Sequence, residues 1–130
     1  MRLLIDTQVF IWLINEDKRL GTKTRRLLSD TSNQVHISYF SFFEMTIKAS
    51  IGKLTYDNSV IDDLPGMDIK LVMPDEDVLQ NYNIFNSDNK DPFDNALVAV
   101  AINERHTFVT ADPKILAISK SNLALQDATK

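Results

Sequence analysis

The sequence contains no cysteine, and its three glycines stand apart from one another. The lack of cysteine excludes a disulfide framework, a thiolate metal site and a cysteine nucleophile. The isolated Gly21, Gly52 and Gly66 exclude the glycine-rich loops that bind phosphate in P-loop and dinucleotide-binding proteins. The sequence also lacks a Gly-x-Ser-x-Gly elbow, which disfavours a serine hydrolase. Any catalytic site must therefore be built from other residue types.

Positive charge is also in short supply, because 14 Lys and Arg residues stand against 18 Asp and Glu residues. A protein that binds nucleic acid through a broad basic surface is usually basic, so the net charge of −4 disfavours that mode of binding. If the protein acts on a polyanion, we expect cations to assist it. No apolar run approaches the roughly 18 residues of a membrane span, and the first residues do not resemble a signal peptide. We therefore expect a cytoplasmic protein that does not contact a membrane.

Short apolar runs alternate with amphipathic segments along the chain. The composition, 44% hydrophobic and 25% charged, is that of a folded globular protein, and 130 residues suit one domain over 1–130. Strands are predicted at 2–5, 35–38, 69–72, 107–110 and 123–125. Helices are predicted at 8–14, 22–28, 39–51, 58–64, 74–80, 92–104 and after residue 112, with a turn at 65–66 and an Asn-rich loop at 81–89. This alternation predicts a parallel sheet covered on both faces by helices.

Four acidic residues occupy comparable places in this predicted fold. Asp6 directly follows the first strand, and Asp112 lies two residues beyond the strand at 107–110. Glu44 lies one and a half turns into the helix after the second strand, and Asp94 lies in the first turn of the helix at 92–104. Ligands bind beyond the carboxyl ends of strands in open α/β sheets, so we expect the four acids to converge there. Such a cluster needs a cation to stay ionised, and its oxygens suit Mg²⁺.

Helix capping is an alternative explanation for most of these acids. A carboxylate just before a helix, or in its first turn, accepts hydrogen bonds from the free N–H groups there. The acids placed for this role are Asp6, Asp91, Asp94 and Asp112. Glu44 is the hardest to explain in this way, although Lys48 offers an ordinary ion pair four residues on. A set of separate caps and pairs thus remains an alternative to one shared site.

Other residues carry weaker signals. His36 lies within a predicted strand and His106 precedes one, without the spacing of a zinc site, so we expect structural roles for both. Lys48 is the best-placed candidate contact for a phosphate because it shares a helix face with Glu44. The other candidates for that contact are Arg25, Arg26 and Lys53.

The chain is also rich in aromatic and large apolar residues near two of its predicted helices. The members of this group are Phe10, Trp12, Tyr39, Phe40, Phe42, Phe43 and Met45. Most should belong to the core. Neighbours such as Phe42 and Phe43 cannot point the same way along a helix, so we expect part of this surface to bury a partner.

Four sequence motifs, taken together and in order, resemble those of a known family. They are Leu3 to Trp12, Ile37 to Lys48 with Gly52-Lys-Leu54, Asp91-Pro-Phe-Asp94 and Val109-Thr-Ala-Asp112. This combination resembles the PIN-domain ribonucleases of the VapC toxin type. The resemblance implies a three-layer α/β/α sandwich around a parallel sheet, with Mg²⁺- or Mn²⁺-dependent endonuclease activity on RNA. It also implies a toxin restrained by a small antitoxin protein, in a homodimer or a toxin–antitoxin hetero-oligomer.

Carried over residue by residue, the resemblance implies that Asp6, Glu44 and Asp94 are the core catalytic and metal-binding acids and that Asp112 completes the quartet. The sequence departs from the family at Gln8, where His is common, and at Asn95, where Arg is common. These changes spare the acids but affect groups that would contact RNA or steady the site. Asp91 belongs to the local motif only, so we assign it to a helix cap or to support of the ligands.

Two other functions compete with this hypothesis. A phosphatase of the haloacid dehalogenase type would use Asp6 as its nucleophile, but it needs a second aspartate where Gln8 stands. A catalytically silent PIN-like module would instead dock a partner protein and use the acids only as helix caps. Stabilisation by added Mg²⁺ or Mn²⁺ distinguishes an acidic metal site from a set of caps.

Overall fold

The computed structural model describes residues 1–84, 91–118 and 122–130. Its sheet contains β1 (Arg2–Ile5), β2 (Gln34–Ser38), β3 (Ile69–Val72), β4 (Thr107–Thr110) and β5 (Ala124–Asp127). The strand order is β3-β2-β1-β4-β5, and every neighbouring pair is parallel. The predicted parallel sheet is therefore confirmed, with the last strand starting one residue later and ending two residues later than expected.

Six helices accompany the strands in the described part of the chain. They are α1 (Thr7–Ile14), α2 (Thr22–Ser29), α3 (Tyr39–Ser50), α4 (Glu76–Ile84), α5 (Pro92–Asn103) and α6 (Pro113–Leu116). Two 3-10 helices, Asn58–Asp63 and Pro65–Met67, stand where a short helix and a turn were predicted. No helix among the described residues is both long enough and apolar enough to cross a membrane.

The loop predicted at 81–89 is wrong at its start, because α4 continues to Ile84. Asn81 is part of this helix, and its Nδ2 donates to Asn103 Oδ1 of α5 at 3.2 Å. Val78 of α4 is buried in the same core as the apolar residues of α5. Packing against α5 thus overrides the weak helix propensity of asparagine. The rest of the predicted loop, 85–89, lies outside the described residues.

The sheet lies between two layers of helices. Leu3 and Ile5 of β1 belong to a core formed with α1, α2 and α3. Leu4 points to the opposite face and belongs to a second core formed with α4, α5 and α6. This alternation is the two-residue period of a strand buried on both faces. The three-layer α/β/α architecture is therefore confirmed.

The turn that follows α3 positions Lys53. The helix ends at Ser50, and Gly52 has a φ of 76°, a left-handed conformation that glycine adopts without strain. Lys53 N then donates to Lys48 O at 2.9 Å. This turn holds the backbone of Lys53 close to the last turn of α3.

One side of α3 presents apolar side chains to solvent. Residues of α3 and its C-cap at intervals of four form an exposed apolar stripe, which consists of Tyr39, Phe43, Ile47 and Ile51. Phe42 is 3% exposed, whereas Phe43 is 52% exposed. The expectation that these two neighbours point in different directions is confirmed.

Candidate active site

The strand order changes direction between β1 and β4, and this position locates the candidate site. The chain moves outward from β1 through β2 to β3, and then returns to the other side of β1 with β4 and β5. In parallel sheets such a reversal leaves a crevice beyond the carboxyl ends of the two strands. Asp6 follows β1 and Asp112 lies two residues beyond β4, so both stand at this crevice.

Asp6 is one of two buried acids of the crevice, with 6% of its surface exposed, the same fraction as Glu44. Thr7 N donates to its Oδ1 at 2.7 Å, and Thr110 Oγ1 donates to its Oδ2 at 2.6 Å. Burial raises the pKa of Asp6 to about 6, and the nearby charges of Glu44 and Asp112 act in the same direction. The two hydrogen bonds oppose this shift without cancelling it. Keeping Asp6 ionised therefore costs free energy, and a bound cation would offset that cost.

Glu44 enters the crevice from α3, which Ser38 caps by accepting from Phe40 N at 3.1 Å. Thr7 Oγ1 donates to Glu44 Oε1 at 2.7 Å, and Lys48 Nζ donates to Glu44 Oε2 at 2.7 Å. Glu44 is thus a buried carboxylate with a partner on each oxygen. The ordinary Glu-Lys pair considered for this position is present, but it lies inside the crevice and its acid is buried.

Asp94 comes from the first turn of α5 and is half-buried. Asp91 is the cap of that helix, since its Oδ1 accepts from Phe93 N at 2.9 Å and from Asp94 N at 3.2 Å. The capping role proposed for Asp91 is therefore confirmed. Asp91 satisfies the backbone of Asp94 and so fixes the start of the segment that carries it.

Asp112 both caps α6 and lines the crevice. Its Oδ1 accepts from Lys114 N at 2.8 Å, and its own backbone N donates to Thr110 Oγ1 at 3.1 Å. Thr110 therefore connects Asp112 to Asp6 through one hydroxyl group. Capping and membership of a shared site are compatible for Asp112, as they are for Asp6, which caps α1.

The four acids line one open cavity of about 570 Å³. The polar and charged residues of its wall are Asp6, Thr7, Gln8, Glu44, Lys48, Lys53, Asp91, Asp94 and Asp112. Trp12 also lines the cavity and is 7% exposed. The structure therefore brings together all four acids that the sequence singled out, together with two of the four basic residues considered as phosphate contacts.

Other residues that the sequence singled out lie in different places relative to the acidic cavity. Arg25 lines a different cavity, where it donates to the backbone oxygens of Leu20 at 2.9 Å and Asp17 at 2.6 Å, which is a structural role. Gln8 faces the acidic cavity, so its departure from the family pattern changes the wall of the site. Asn95 is buried at 8% exposure.

Sequence reasoning missed the hydroxyl groups that support the acids. Thr110 Oγ1 donates to Asp6, Thr7 Oγ1 donates to Glu44, and Ser41 Oγ lies 2.9 Å from Thr7 Oγ1. The sequence does contain a signal for these hydroxyl groups: Thr7 directly follows Asp6, and Thr110 precedes Asp112 by two residues. A hydroxyl beside an acid at a strand end is a natural hydrogen-bond donor to a neighbouring carboxylate.

The donor set fits a hard divalent cation in its chemistry. Carboxylate oxygens are the ligands that Mg²⁺ and Mn²⁺ prefer, and Mg²⁺ uses few of them while retaining water. Within residues 1–84, 91–118 and 122–130, no three acidic or histidine side chains already converge closely enough to hold an ion. Direct coordination by three of the acids would therefore require them to draw closer together.

The histidines lie apart from this cavity and contact each other. The rings of His36 and His106 meet edge to face with centroids 4.6 Å apart, and both residues are buried. Burial lowers the pKa of His106 to about 4, and the neighbouring His36 and Arg2 add to the effect. Burial also lowers the pKa of His36. Both rings are packing elements of the fold at neutral pH.

Comparison with known proteins points to one family. A family model described as PIN domain matches residues 3–121. No curated protein matches the chain. Three solved structures that it resembles are described as VapBC2 from Rickettsia felis bound to a DNA fragment from their promoter, VapBC-1 from nontypeable Haemophilus influenzae, and a toxin-antitoxin complex from Klebsiella pneumoniae.

These structural similarities extend over almost the whole chain at low sequence identity. The Rickettsia chain is 20% identical with a TM-score of 0.73, and the match covers 98% of both chains. The Haemophilus chain is 19% identical with a TM-score of 0.70, and the match covers 100% of both. The Klebsiella chain is 16% identical with a TM-score of 0.64, covering 94% of this chain and 95% of that one. At these identities the likeness establishes the fold.

Proposed function

The chain belongs to the PIN domain family, and from this premise we propose that it is a metal-dependent endoribonuclease and the toxin of a toxin–antitoxin pair. One observation carries the proposal. Asp6, Glu44, Asp94 and Asp112 come from four separate parts of the chain and line one cavity at the reversal of the sheet. Four acids in one open cavity are hard to explain as independent helix caps. An acidic cavity that accepts a cation also explains how a protein with a net charge of −4 engages RNA.

We propose that Mg²⁺ or Mn²⁺ binds among these acids, with Asp6 and Asp94 as ligands and with Asp112 and Glu44 acting directly or through water. Such an ion would activate a water molecule for attack and offset the charge that builds on the phosphoryl oxygens. Thr7 and Thr110 orient the carboxylate of Asp6 through the hydrogen bonds described above. The buried and hydrogen-bonded Asp6 is thereby preorganised for binding.

The cavity also offers contacts for the strand to be cut. Lys48 and Lys53 stand on its wall and would attract the phosphates on either side of the scissile bond. Gln8 also lines the cavity and is exposed, so its amide would hydrogen-bond an unstacked base of single-stranded RNA. We propose cellular RNA in the cytoplasm as the substrate.

We propose that the protein acts together with a small antitoxin and forms a homodimer or a toxin–antitoxin hetero-oligomer. Two of the similar structures are described as VapBC proteins and a third as a toxin–antitoxin complex, which supports this assignment. The exposed apolar stripe of α3 is a suitable surface for a partner. The ring of Phe43 in this stripe lies 6.1 Å from that of Phe93, the neighbour of Asp94, so the stripe extends toward the cavity.

A catalytically silent PIN-like module is the second candidate. It is favoured by the apolar stripe and by the absence, among the described residues, of three acids already at coordinating distance. This candidate predicts partner binding without cleavage in any divalent ion.

The decisive experiment incubates the purified chain with transfer, ribosomal and messenger RNA in Mg²⁺, in Mn²⁺ and in EDTA. We expect cleavage with either ion and none in EDTA. Asp94→Asn should lower the rate about 100-fold or more, because even outer-shell partners of a metal site are commonly worth 10- to 100-fold. Asp62→Asn, at an exposed acid on the first 3-10 helix, is the matched control and should retain full activity. Full activity of Asp94→Asn would overturn the assignment.

A further inference from the structure

Positive charge is concentrated in one short part of the chain. Residues 18–26, which we call the basic segment, contain five Lys and Arg residues and no acid, and they run from the connection after α1 into α2. The rest of the chain has 9 Lys and Arg residues against 18 Asp and Glu residues, a net charge of −9. The positive residues of the basic segment are Lys18, Arg19, Lys23, Arg25 and Arg26. All five are exposed, so an acidic protein has one basic surface.

Two arginines fix the shape of the basic segment. Arg19 Nη2 donates to Asp17 Oδ2 at 2.7 Å. Arg25 donates from Nη2 to Asp17 O at 2.6 Å and from Nε to Leu20 O at 2.9 Å. The partners of Arg25 are backbone carbonyl groups, which leave its positive charge uncompensated. The connection between α1 and α2 is thus tied down by two guanidinium groups, so the neighbouring cations are held on a defined backbone.

The other three cations of the basic segment have no ion-pair partner in the described part of the chain. They are Lys18, Lys23 and Arg26. Asp30 lies four residues after Arg26, but its Oδ1 accepts from Ser32 N at 2.9 Å and from Ser32 Oγ at 2.7 Å. Lys23 and Arg26 are three residues apart in α2 and therefore lie on one face of the helix. Exposed, unpaired cations on one face attract the phosphates of a nucleic acid.

The basic segment begins beside the wall of the acidic cavity. Trp12 lines that cavity, and the guanidinium carbon of Arg19 lies 5.1 Å from the centroid of the Trp12 ring. Trp12 also lines a second cavity together with Arg25. The eight residues of α1, which starts at the acidic cavity, span about 12 Å, or about three to four nucleotides at a rise of roughly 3.4 Å each. A strand that leaves the acidic cavity past Trp12 therefore meets the basic segment within a few nucleotides.

We propose that the basic segment is a second contact surface for RNA, on which Lys18, Lys23 and Arg26 bind phosphates of the strand outside the acidic cavity. The inference rests on the proposed function in taking RNA as the ligand. It goes beyond that function by locating the affinity for a polyanion whose phosphates the acids of the cavity repel. Continuity with the cavity favours RNA over an acidic protein segment, because the strand to be cut must leave the cavity along its wall.

This surface also defines a class of substrate. Phosphate contacts position a nucleic acid but do not read its sequence. The basic segment therefore selects RNA by length, and the expected substrates extend at least about four nucleotides beyond the cut, on the side of α2.

The test measures how tightly the full chain binds a labelled single-stranded RNA of about 20 nucleotides, by fluorescence anisotropy in EDTA at several salt concentrations. EDTA prevents metal-dependent cleavage, so affinity alone is measured. The double variant Lys23→Gln, Arg26→Gln should raise Kd about 25-fold at roughly 0.1 M salt, because each phosphate contact on a single strand contributes about 0.7 to the dependence of log K on log salt. The slope of that dependence should become shallower by about 1.4.

The matched control is the double variant Lys70→Gln, Arg105→Gln, which removes one lysine and one arginine from exposed positions outside the basic segment. Its Kd should change by less than about threefold, because salt screens charges beyond roughly 10 Å, and its slope should equal that of wild type. The double variant Lys23→Arg, Arg26→Lys keeps both charges and should bind RNA like wild type. This variant separates the charge of the two side chains from any structural role.

Equal Kd values and slopes for Lys23→Gln, Arg26→Gln and its control would overturn the proposal, as would a loss of binding in Lys23→Arg, Arg26→Lys. Binding of poly-glutamate but not of RNA would assign the surface to an acidic protein partner and would also overturn it. If RNA binds with the expected losses but is not cut in Mg²⁺, the RNA-binding surface stands and the proposed nuclease activity fails. If RNA is cut in Mg²⁺ without the expected losses, the nuclease stands and the surface fails.

Discussion

Replacement of Asp6 by Asn should make the metal-free protein more stable at neutral pH while abolishing its response to metal. Asp6 is buried beside two other acids, and its pKa is raised from 3.8 to about 6. The folded protein therefore binds a proton at Asp6 more tightly than the unfolded chain does. Stability from this group is present at low pH and is lost as the pH rises from about 4 to about 6.

The size of the effect follows from the shift. A difference of about 2.2 pKa units corresponds to about 3 kcal/mol in the free energy of unfolding above pH 6. Asn carries no charge and so avoids this cost, but it replaces a carboxylate that accepts from Thr7 N and Thr110 Oγ1. Allowing about 1 to 2 kcal/mol for weaker hydrogen bonds, we expect a net gain of about 1 to 2 kcal/mol.

The assay is urea unfolding in EDTA between about pH 4.5 and about pH 7.5, followed by the fluorescence of Trp12. Trp12 is the only tryptophan and is buried beside the cavity, so its emission reports on this part of the core. The advantage of Asp6→Asn should shrink by about 2 kcal/mol between the higher and the lower pH. Added Mg²⁺ should stabilise the wild type, by about 2.7 kcal/mol at a hundredfold excess over Kd, and should leave the variant unchanged.

Asp62→Asn is the control, because it removes one carboxylate from an exposed position and should change stability by less than about 0.5 kcal/mol. The reasoning would be refuted by an Asp6→Asn variant that is less stable than wild type at about pH 7.5. It would equally be refuted by a gain in stability that does not depend on pH.

Three further predictions concern the stability of the fold. The pKa of His106 is lowered from 6.5 to about 4, so the stability that neutral His106 contributes should fall by up to about 3 kcal/mol as the pH drops through this range, against the opposite trend expected from Asp6. In urea titrations the wild type should therefore lose stability relative to His106→Gln over this pH range. Gly21→Ala should destabilise by about 1 to 3 kcal/mol, since its Cβ would lie 1.8 Å from the Lys130 carbonyl oxygen, whereas Gly66→Ala meets nothing within 4 Å and should be tolerated in the same thermal melts. Asp91→Ala should lose about 1 kcal/mol, as expected for an N-cap, and retain Mn²⁺ binding in calorimetry.

The arrangement of the sheet could be predicted because the strands are short, apolar and separated by helical patterns. The side chains of β1 (Arg2–Ile5) enter both cores, so the strand is a continuous apolar run after Arg2. Such a run is typical of a parallel strand that is buried on both faces. The loop at 81–89 was wrong at its start because Asn81 is a weak helix former whose amide is used by Asn103, a partner distant in sequence. Local propensity carries no information about such a contact.

The members of the acidic cavity could be predicted for a related reason. Strand ends converge in any parallel sheet, so Asp6 and Asp112 were placed correctly once the strands were known. The ion pair of Glu44 with Lys48 was visible as a spacing of four, but its burial was not, because burial depends on α1 and its Thr7 hydroxyl. The three-dimensional arrangement places this Glu-Lys pair on the wall of the acidic cavity and buries its acid.

The chemistry of the RNA ends tests the central claim most directly. A single cleavage of a 5′-labelled RNA in Mg²⁺ can be analysed for the groups left at the cut. The resemblance to PIN-domain ribonucleases implies a 5′-phosphate and a 3′-hydroxyl, and attack by metal-activated water predicts no cut in EDTA. A 2′,3′-cyclic phosphate would show that the ribose 2′-hydroxyl attacks, and a cut that persists in EDTA would show that no divalent ion is needed. Either result would contradict the account.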